Sequence, residues 1–219
     1  AMGDMEKAYE QLQSISTACP DNVAVLTRLA DVAYMMEDYV AMADACAKAI
    51  EVDEADPQAL YLYAKAYRGL GDVPNAVAVL TKALDKYDDF EAARLLRGET
   101  LLANGDVEEA GKDADELLKR NEANEDVLML NARVGKAMGD MEKAELTYGG
   151  VLDVNPFSVD AFAERAEVRR QLGNEAGAAE DEASAEELRA FMQQPSEDIG
   201  EKVKDRMKSM DPYKIFNNE

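Results

Sequence analysis

A short motif recurs along this chain with a period of about 34 residues, and this period constrains the fold more than any other feature. Gly-Asp or Gly-Asn pairs begin at Gly3, Gly71, Gly105, Gly139 and Gly173, whose positions differ by 34 or a multiple of it. At the one position in the series that lacks glycine, Glu37-Asp38 takes its place. Because repeats of this length stack on their neighbours as single structural units, we expect an elongated array.

Small residues occupy two further columns of the repeat. Five residues after each glycine position stand Ala8, Met42, Ala76, Ala110, Ala144 and Ala178, and seven residues before it stand Ala30, Ala64, Gly98, Ala132 and Ala166. Apolar residues recur around both columns at the spacing of an amphipathic helix. Since small side chains at two fixed places let two helices cross closely, each unit is predicted to be an antiparallel helix pair.

The residues between the helices agree with this interpretation. The glycine is expected to end the first helix in a left-handed conformation, and the following Asp or Asn is expected to cap the second. Pro20, Pro57 and Pro156 fall between successive pairs. These signals predict a lone second helix at 3–19, followed by pairs at 23–56, 57–90, 91–124, 125–158 and 159–192.

The two ends of the chain depart from the period. Ser196-Glu197-Asp198 is typical of a helix start, and the apolar stripe that follows predicts a capping helix within 193–219. The apolar tail of Tyr213, Ile215 and Phe216 is expected to fold back on the last pair, with a frayed tail or docking onto another molecule as alternatives. Residues 1–8 repeat exactly as 137–144, which predicts a fragment that begins inside a repeat; a cloning remnant or a natural start capped by a lone helix is the alternative.

Taken together, these columns and turns resemble the tetratricopeptide repeat, with about five and a half repeats and a C-terminal capping helix. The resemblance implies an all-α fold, a right-handed superhelical solenoid of antiparallel helix pairs. Arg94 departs from the family pattern, because a large apolar residue is usual in its column. Gly135 and Arg169 depart in another apolar column, so the last two units are the least typical.

Composition excludes several classes of function. The chain has 46 acidic and 24 basic residues, a net charge of −22, so a nucleic-acid partner is not expected. No histidine is present, and no nucleotide-binding, metalloprotease or hydrolase motif occurs, so we expect no enzyme activity, no cofactor and no metal site. No apolar run is long enough to insert into a membrane. Cys19 and Cys46 are expected to be buried or half-buried on helices, which suits a soluble protein of the reducing cytoplasm.

The family resemblance also implies that the first helix of each pair lines a concave groove that holds a peptide. By the family's usual columns, the residues predicted to contact a partner are Tyr34, Tyr61, Lys65, Arg68, Leu95, Leu102, Met129, Arg133, Lys136 and Arg170. Cations beside aromatic and aliphatic side chains suit a protein or peptide with acidic and apolar residues. The alternative is that the cations pair with neighbouring acids such as Asp31, Glu99 and Glu167.

Two other groups of residues test narrower family functions. Chaperone-binding members of the family need Lys and Asn in two fixed groove columns, and neither residue occupies its column here, so chaperone tails are not expected as ligands. Arg94, Arg97 and Arg165 lie in columns that normally face another helix. We expect their stems to pack along the helix and their heads to pair with Asp or Glu.

The function predicted from the sequence is a non-catalytic scaffold that binds a peptide or protein segment on its concave face. One alternative is a self-associating assembly module that uses the open N-terminal helix or the C-terminal tail. Another is the docking arm of a larger enzyme or regulator.

Overall fold

The structure is a computed structural model that describes residues 2–193, and helices follow one another along all of that range. They are α1 (Met2–Ala18), α2 (Val23–Met35), α3 (Tyr39–Val52), α4 (Pro57–Gly69), α5 (Val73–Lys86), α6 (Glu91–Asn104), α7 (Val107–Arg120), α8 (Glu125–Met138), α9 (Met141–Val154), α10 (Val159–Gln171) and α11 (Glu175–Met192). The predicted capping helix from Ser196 and the tail of Tyr213, Ile215 and Phe216 lie outside the described residues.

Polar caps set where the helices begin. In seven helices the residue before the first turn is an Asp or Asn whose side chain accepts a hydrogen bond from a backbone N–H three residues later. These caps are Asn22, Asp38, Asp56, Asp72, Asn124, Asp140 and Asn174. Each such cap contributes about 1 kcal/mol to helix stability.

Left-handed residues set where the first helices end. Gly71, Gly105, Gly139 and Gly173 have φ values between 76° and 89°, as the repeat pattern predicts. Glu37 takes the same place in the turn between α2 and α3 with φ 59°. A side chain in this conformation costs free energy that glycine avoids, so this turn carries backbone strain that the other four do not.

The helices stack in chain order, and the stack is curved. Each helix packs against the next, and first helices of neighbouring pairs also contact each other, as α2 does α4 and α6 does α8. Among the described residues, no two second helices contact each other as extensively as these first helices do. The first helices are therefore closer together and form the inner side of the curve.

The small-residue columns lie at the helix crossings. Their alanines are almost fully buried in all five pairs, as are Met42 and Gly98. At Gly98, an added Cβ would stand 2.7 Å from Leu130 Cδ2. The crossing at Gly98 is thus too close for a larger side chain unless Leu130 moves, whereas the first pair accommodates Met42 in its column. Cys46 is buried as predicted, whereas Cys19 is exposed because it lies beyond the end of α1.

Two helix pairs contain a buried ion pair in place of apolar contacts. The Arg97 guanidinium donates to both Asp113 oxygens, from Nε at 2.8 Å and from Nη2 at 2.7 Å. Arg165 and Asp181, which stand in the same columns two repeats later, repeat the arrangement at 2.9 and 2.6 Å. In the first pair the same positions hold Leu29 and Ala45, which are buried apolar residues.

Arg94, the third arginine in a column that normally faces another helix, also has an acidic partner. Arg94 is buried, and its Nη2 donates to the Asp88 side chain at 2.6 Å and to the Asp88 carbonyl at 2.9 Å. The expectation that Arg94, Arg97 and Arg165 pair with acids is confirmed.

Among the described residues, none of the helices is long and apolar enough to cross a membrane.

Substitutions at two glycines test the packing. Gly150 lies inside α9, and an added Cβ there would meet nothing within 4 Å. We expect Gly150→Ala to raise the free energy of unfolding by about 0.5–1 kcal/mol, because glycine is a poor helix former. Gly98→Ala has the same gain in helix propensity but forces the buried Leu130 side chain to move, which costs about 1–3 kcal/mol, so we expect a net loss of up to about 2 kcal/mol. Urea denaturation measures both, and a loss of stability in Gly150→Ala would contradict the open surface found there.

A second prediction concerns the buried pair of Arg97 and Asp113. Asp113→Ala removes the carboxylate from Arg97 and also from Arg94, whose Nη1 lies 3.6 Å from Asp113 Oδ1, and should cost about 3–5 kcal/mol, because buried charges lose a partner. Adding Arg97→Leu recreates the Leu and Ala of the first pair, and we expect the double variant to recover more than half of that loss. Thermal and urea unfolding compare the three proteins. A double variant no more stable than Asp113→Ala would show that the pair is not replaceable by apolar contacts.

Candidate binding groove

Side-chain contacts join neighbouring first helices into one continuous inner surface. In four of them the partners are 31 residues apart, which is one repeat less one helical turn. These pairs are Tyr34 with Lys65, Arg68 with Glu99, Arg133 with Glu164, and Lys136 with Glu167. The inner surfaces of α2, α4, α6, α8 and α10 form the groove in which the sequence places the partner.

The link at Glu164 involves a third side chain. Arg133 donates to Glu164 Oε1 from Nε at 2.9 Å and from Nη2 at 2.6 Å. The buried Tyr148 donates its hydroxyl to Glu164 Oε2 at 2.7 Å. Burial alone would raise the pKa of Glu164, but the hydrogen bonds from Arg133 and Tyr148 bring that pKa below its ordinary value. Glu164 therefore stays ionised and ties α10 to α8 and α9.

Most of the predicted groove cations are paired with acids in the same way. Arg68 Nη1 is 2.7 Å from Glu99 Oε2, while Lys136 pairs with Glu167 and Arg170 pairs with Glu182. The alternative in which these cations neutralise neighbouring acids therefore describes Arg68, Arg133, Lys136 and Arg170. A partner carboxylate that approaches them has to share the cation or displace a glutamate.

Lys65 differs from the other groove cations. Its Nζ lies 3.6 Å from the centroid of the Tyr34 ring and 5.8 Å from that of the Tyr61 ring. It forms no ion pair with any described residue. A lysine held by aromatic faces in this way leaves its hydrogen-bond donors open to an incoming carboxylate.

A small cavity opens beside Lys65. It has a volume of about 280 Å³ and is lined by Tyr34, Tyr39, Lys65, Arg68, Gly69 and Leu96, which we call the tyrosine pocket. The ring of Tyr39 lies against Gly69, where an added Cβ would stand 2.3 Å from Tyr39 Cδ1. The sequence prediction missed Tyr39 and Leu96 as lining residues. Tyr39 can reach the pocket because Gly69 has no Cβ.

The predicted apolar groove residues differ in their exposure. Tyr34 is 40% exposed, and Tyr61 is half-buried with its ring centroid 5.6 Å from that of Phe90. Leu95 and Leu102 are half-buried and pack on the core of the neighbouring helices. Met129 is only 7% exposed. It packs with Tyr148 in the core between α8 and α9, so the expectation that it lines the groove is wrong.

Sequence reasoning also missed Glu164 and Glu182 as the partners of Arg133 and Arg170. The sequence could have predicted Glu164 as a partner. Groove residues that are 31 positions apart, as Arg133 and Glu164 are, lie side by side in neighbouring repeats. Glu182 instead lies on α11, the second helix of the same pair.

In the part of the chain that the structure describes, no cluster of three or more carboxylates or thiols could hold a metal ion.

Comparison with known proteins identifies the repeat and the fold. Residues 61–125 match the family model of the tetratricopeptide repeat. A comparison with curated proteins finds no significant match.

Several solved structures share the fold at low sequence identity. MamA of Desulfovibrio magneticus RS-1, residues 41 to the end, superimposes with a TM-score of 0.72 at 17% identity, over 78% of this chain and 97% of that one. A tetratricopeptide repeat protein of Parabacteroides merdae gives a TM-score of 0.72 at 21% identity, over 82% and 72%. YrrB, described as a repeat protein of this kind with an unusual peptide-binding site, gives 0.65 at 16% identity, over 90% and 99%.

The Glu164 link yields a prediction with a defined pH dependence. Glu164→Gln weakens the bonds from Arg133 and Tyr148, and we expect it to lower the free energy of unfolding at pH 7 by about 2 kcal/mol. Because the pKa of Glu164 is lower in the folded state, its stabilisation is present above the unfolded pKa of about 4.3 and is lost as the pH falls through the folded value. The difference in the free energy of unfolding between wild type and Glu164→Gln should therefore become smaller below pH 4.

Thermal unfolding at a series of pH values measures this difference. Glu180→Gln is the matched control, since Glu180 is an exposed glutamate on α11. If this difference in the free energy of unfolding stays the same from pH 7 to pH 3, the ionised carboxylate is not what stabilises the link.

Proposed function

We propose that this chain, a solenoid of repeated helix pairs, is a non-catalytic scaffold that holds a peptide or protein segment against the inner surface of its first helices. The fold is that of protein–protein interaction scaffolds. The proposal adds that the inner surface is the one used and that the scaffold has no catalytic activity of its own.

The observation that carries the proposal is the continuity of the inner surface. Contacts between neighbouring first helices recur along the array and form one face that carries both charged and apolar side chains. An extended segment can cross several repeats on such a face and meet a different set of side chains at each. YrrB, whose fold this chain shares over most of its length, is described as having a peptide-binding site, which makes the same use of this fold reasonable here.

Charge and polarity along the groove suggest the chemistry of the partner. Tyr34, Tyr61, Leu95 and Leu102 offer apolar contact, while the cations offer ion pairs to a segment with acidic residues. Paired cations contribute less than free ones, because a partner carboxylate competes with Glu99, Glu164 or Glu167. Apolar contact therefore supplies most of the affinity, and charge supplies selectivity.

Capture of a partner from native lysate tests the surface. The groove variant carries Gln at Lys65, Arg68, Arg133 and Lys136, and the matched control carries Gln at Lys48, Lys82, Lys86 and Lys143, which are exposed lysines on second helices. Both variants lose four positive charges, so a non-specific charge effect is the same in the two. We expect mass spectrometry to find a partner that wild type and control retain and the groove variant loses.

Three other results would contradict the proposal. Equal capture by both variants would move the site away from the groove, and equal loss by both would show a non-specific charge effect. Recovery of this chain alone, with a molar mass that rises with concentration in light scattering, would favour the self-associating module. Circular dichroism of the variants confirms that the helices are retained.

A further inference from the structure

The tyrosine pocket lies at one end of the groove, where the first helices α2 and α4 meet their turns. Tyr34 is next to the last residue of α2, and Gly69 is the last residue of α4. Tyr39 is the first residue of α3, so it reaches the pocket from the turn that Glu37 closes in a left-handed conformation. The pocket is thus made by two turns and one neighbouring helix rather than by a single helix face.

Exposed apolar side chains are the sequence neighbours of the pocket residues. Met35 is 57% exposed, Val40 is 60% exposed and Leu70 is 46% exposed. They follow Tyr34, Tyr39 and Gly69 directly in the chain. In the third pair, the columns of Met35, Val40 and Leu70 hold Ala103, Glu108 and Asn104, which are small or polar. Single exposed apolar residues such as Met138 and Leu146 also occur elsewhere in the array, but at these two turns three of them adjoin one pocket, as is typical of an interaction surface.

The pocket also contains the groove cation that pairs with no described acid. In a chain with 46 acidic residues, Arg68, Arg133, Lys136 and Arg170 each have a carboxylate partner, whereas Lys65 rests on the Tyr34 ring. A carboxylate that approaches Lys65 displaces no glutamate of this chain. It can also share Arg68, whose side chain is adjacent and partly exposed.

Size and net charge restrict the occupant. A volume of about 280 Å³ lies below the range of about 300–1,000 Å³ for sites that enclose a whole drug-sized ligand, so the pocket suits one large side chain of a longer segment. The chain's net charge of −22 repels a run of acids at long range. A single acid beside an apolar anchor pairs with Lys65 at short range and avoids most of that repulsion.

From these observations we propose that the tyrosine pocket anchors the partner: a protein segment inserts one large apolar side chain and places an adjacent carboxylate against Lys65. This inference rests on the proposed scaffold function and names the chemistry at one end of the groove. It assigns the remaining, acid-paired cations a structural role in joining the repeats.

A peptide selection tests the proposal without knowledge of the natural partner. Random nonapeptides displayed on phage are selected on the immobilised full chain, and the enriched peptides are synthesised with a fluorescent label for anisotropy titration. We expect enrichment of sequences with one aromatic or large aliphatic residue next to Asp or Glu. Lys65→Gln should weaken their binding about tenfold, whereas Lys82→Gln, a change of the same charge on the exposed face of α5, should leave it within twofold.

A thermodynamic cycle separates a direct contact from an indirect one. The peptide's Asp or Glu is replaced by Asn or Gln, and both peptides are titrated against wild type and Lys65→Gln. A direct ion pair predicts a tenfold loss with wild type and little further loss with Lys65→Gln. Gly69→Ala, which pushes a Cβ into the Tyr39 ring, should weaken both peptides through the apolar anchor.

The outcomes distinguish this inference from the proposed function. Peptides that need Arg133 or Lys136 but tolerate Lys65→Gln would overturn the anchor and keep the groove. Additive losses in the cycle would likewise overturn the contact with Lys65. Peptides that tolerate every groove substitution, or a selection that enriches none, would overturn the anchor and the groove together. Melting temperatures of Lys65→Gln and Gly69→Ala show whether the fold is retained in each.

Discussion

Close helix crossing at the small-residue columns is the constraint on which the rest of the structure depends. The alanines of these columns let neighbouring helices approach closely, and Gly98 shows that even one methyl group is too large where α6 meets Leu130. Because the crossing recurs in every repeat, the pairs stack with the same hand and the same faces meet throughout. The groove exists because this stacking keeps the first helices together on one side.

Charged residues take two different structural roles in this array. Arg97 with Asp113 and Arg165 with Asp181 lie buried inside a pair, where each guanidinium is held by two hydrogen bonds to one carboxylate. The pairs that link neighbouring first helices instead lie between repeats on the inner face. The first kind replaces apolar packing within a repeat, and the second kind joins successive repeats. The acidic excess of the chain supplies carboxylate partners for both kinds of pair.

Much of the candidate site could be anticipated from residue positions alone, and its exceptions have physical causes. The groove columns predicted Tyr34, Lys65 and Arg68 near one another, because residues at fixed repeat positions occupy fixed places on a helix. Met129 was misplaced because it packs beside Tyr148 between α8 and α9, and such burial depends on the side chains of both helices. Tyr39 was missed because it belongs to a second helix and reaches the groove only over Gly69.

The sequence by itself determined the period, the helix pairs, their turns and their small crossings, since each of these depends on residues close together in the chain. Backbone conformation at Gly71 or Gly105 and capping by Asp38 or Asp140 are local, so a pattern read along the chain is enough to place them. Tertiary structure decided which groove cations are neutralised and which is not. That outcome depends on distances between side chains of neighbouring repeats, and those distances follow from the angle at which one helix pair rests on the next.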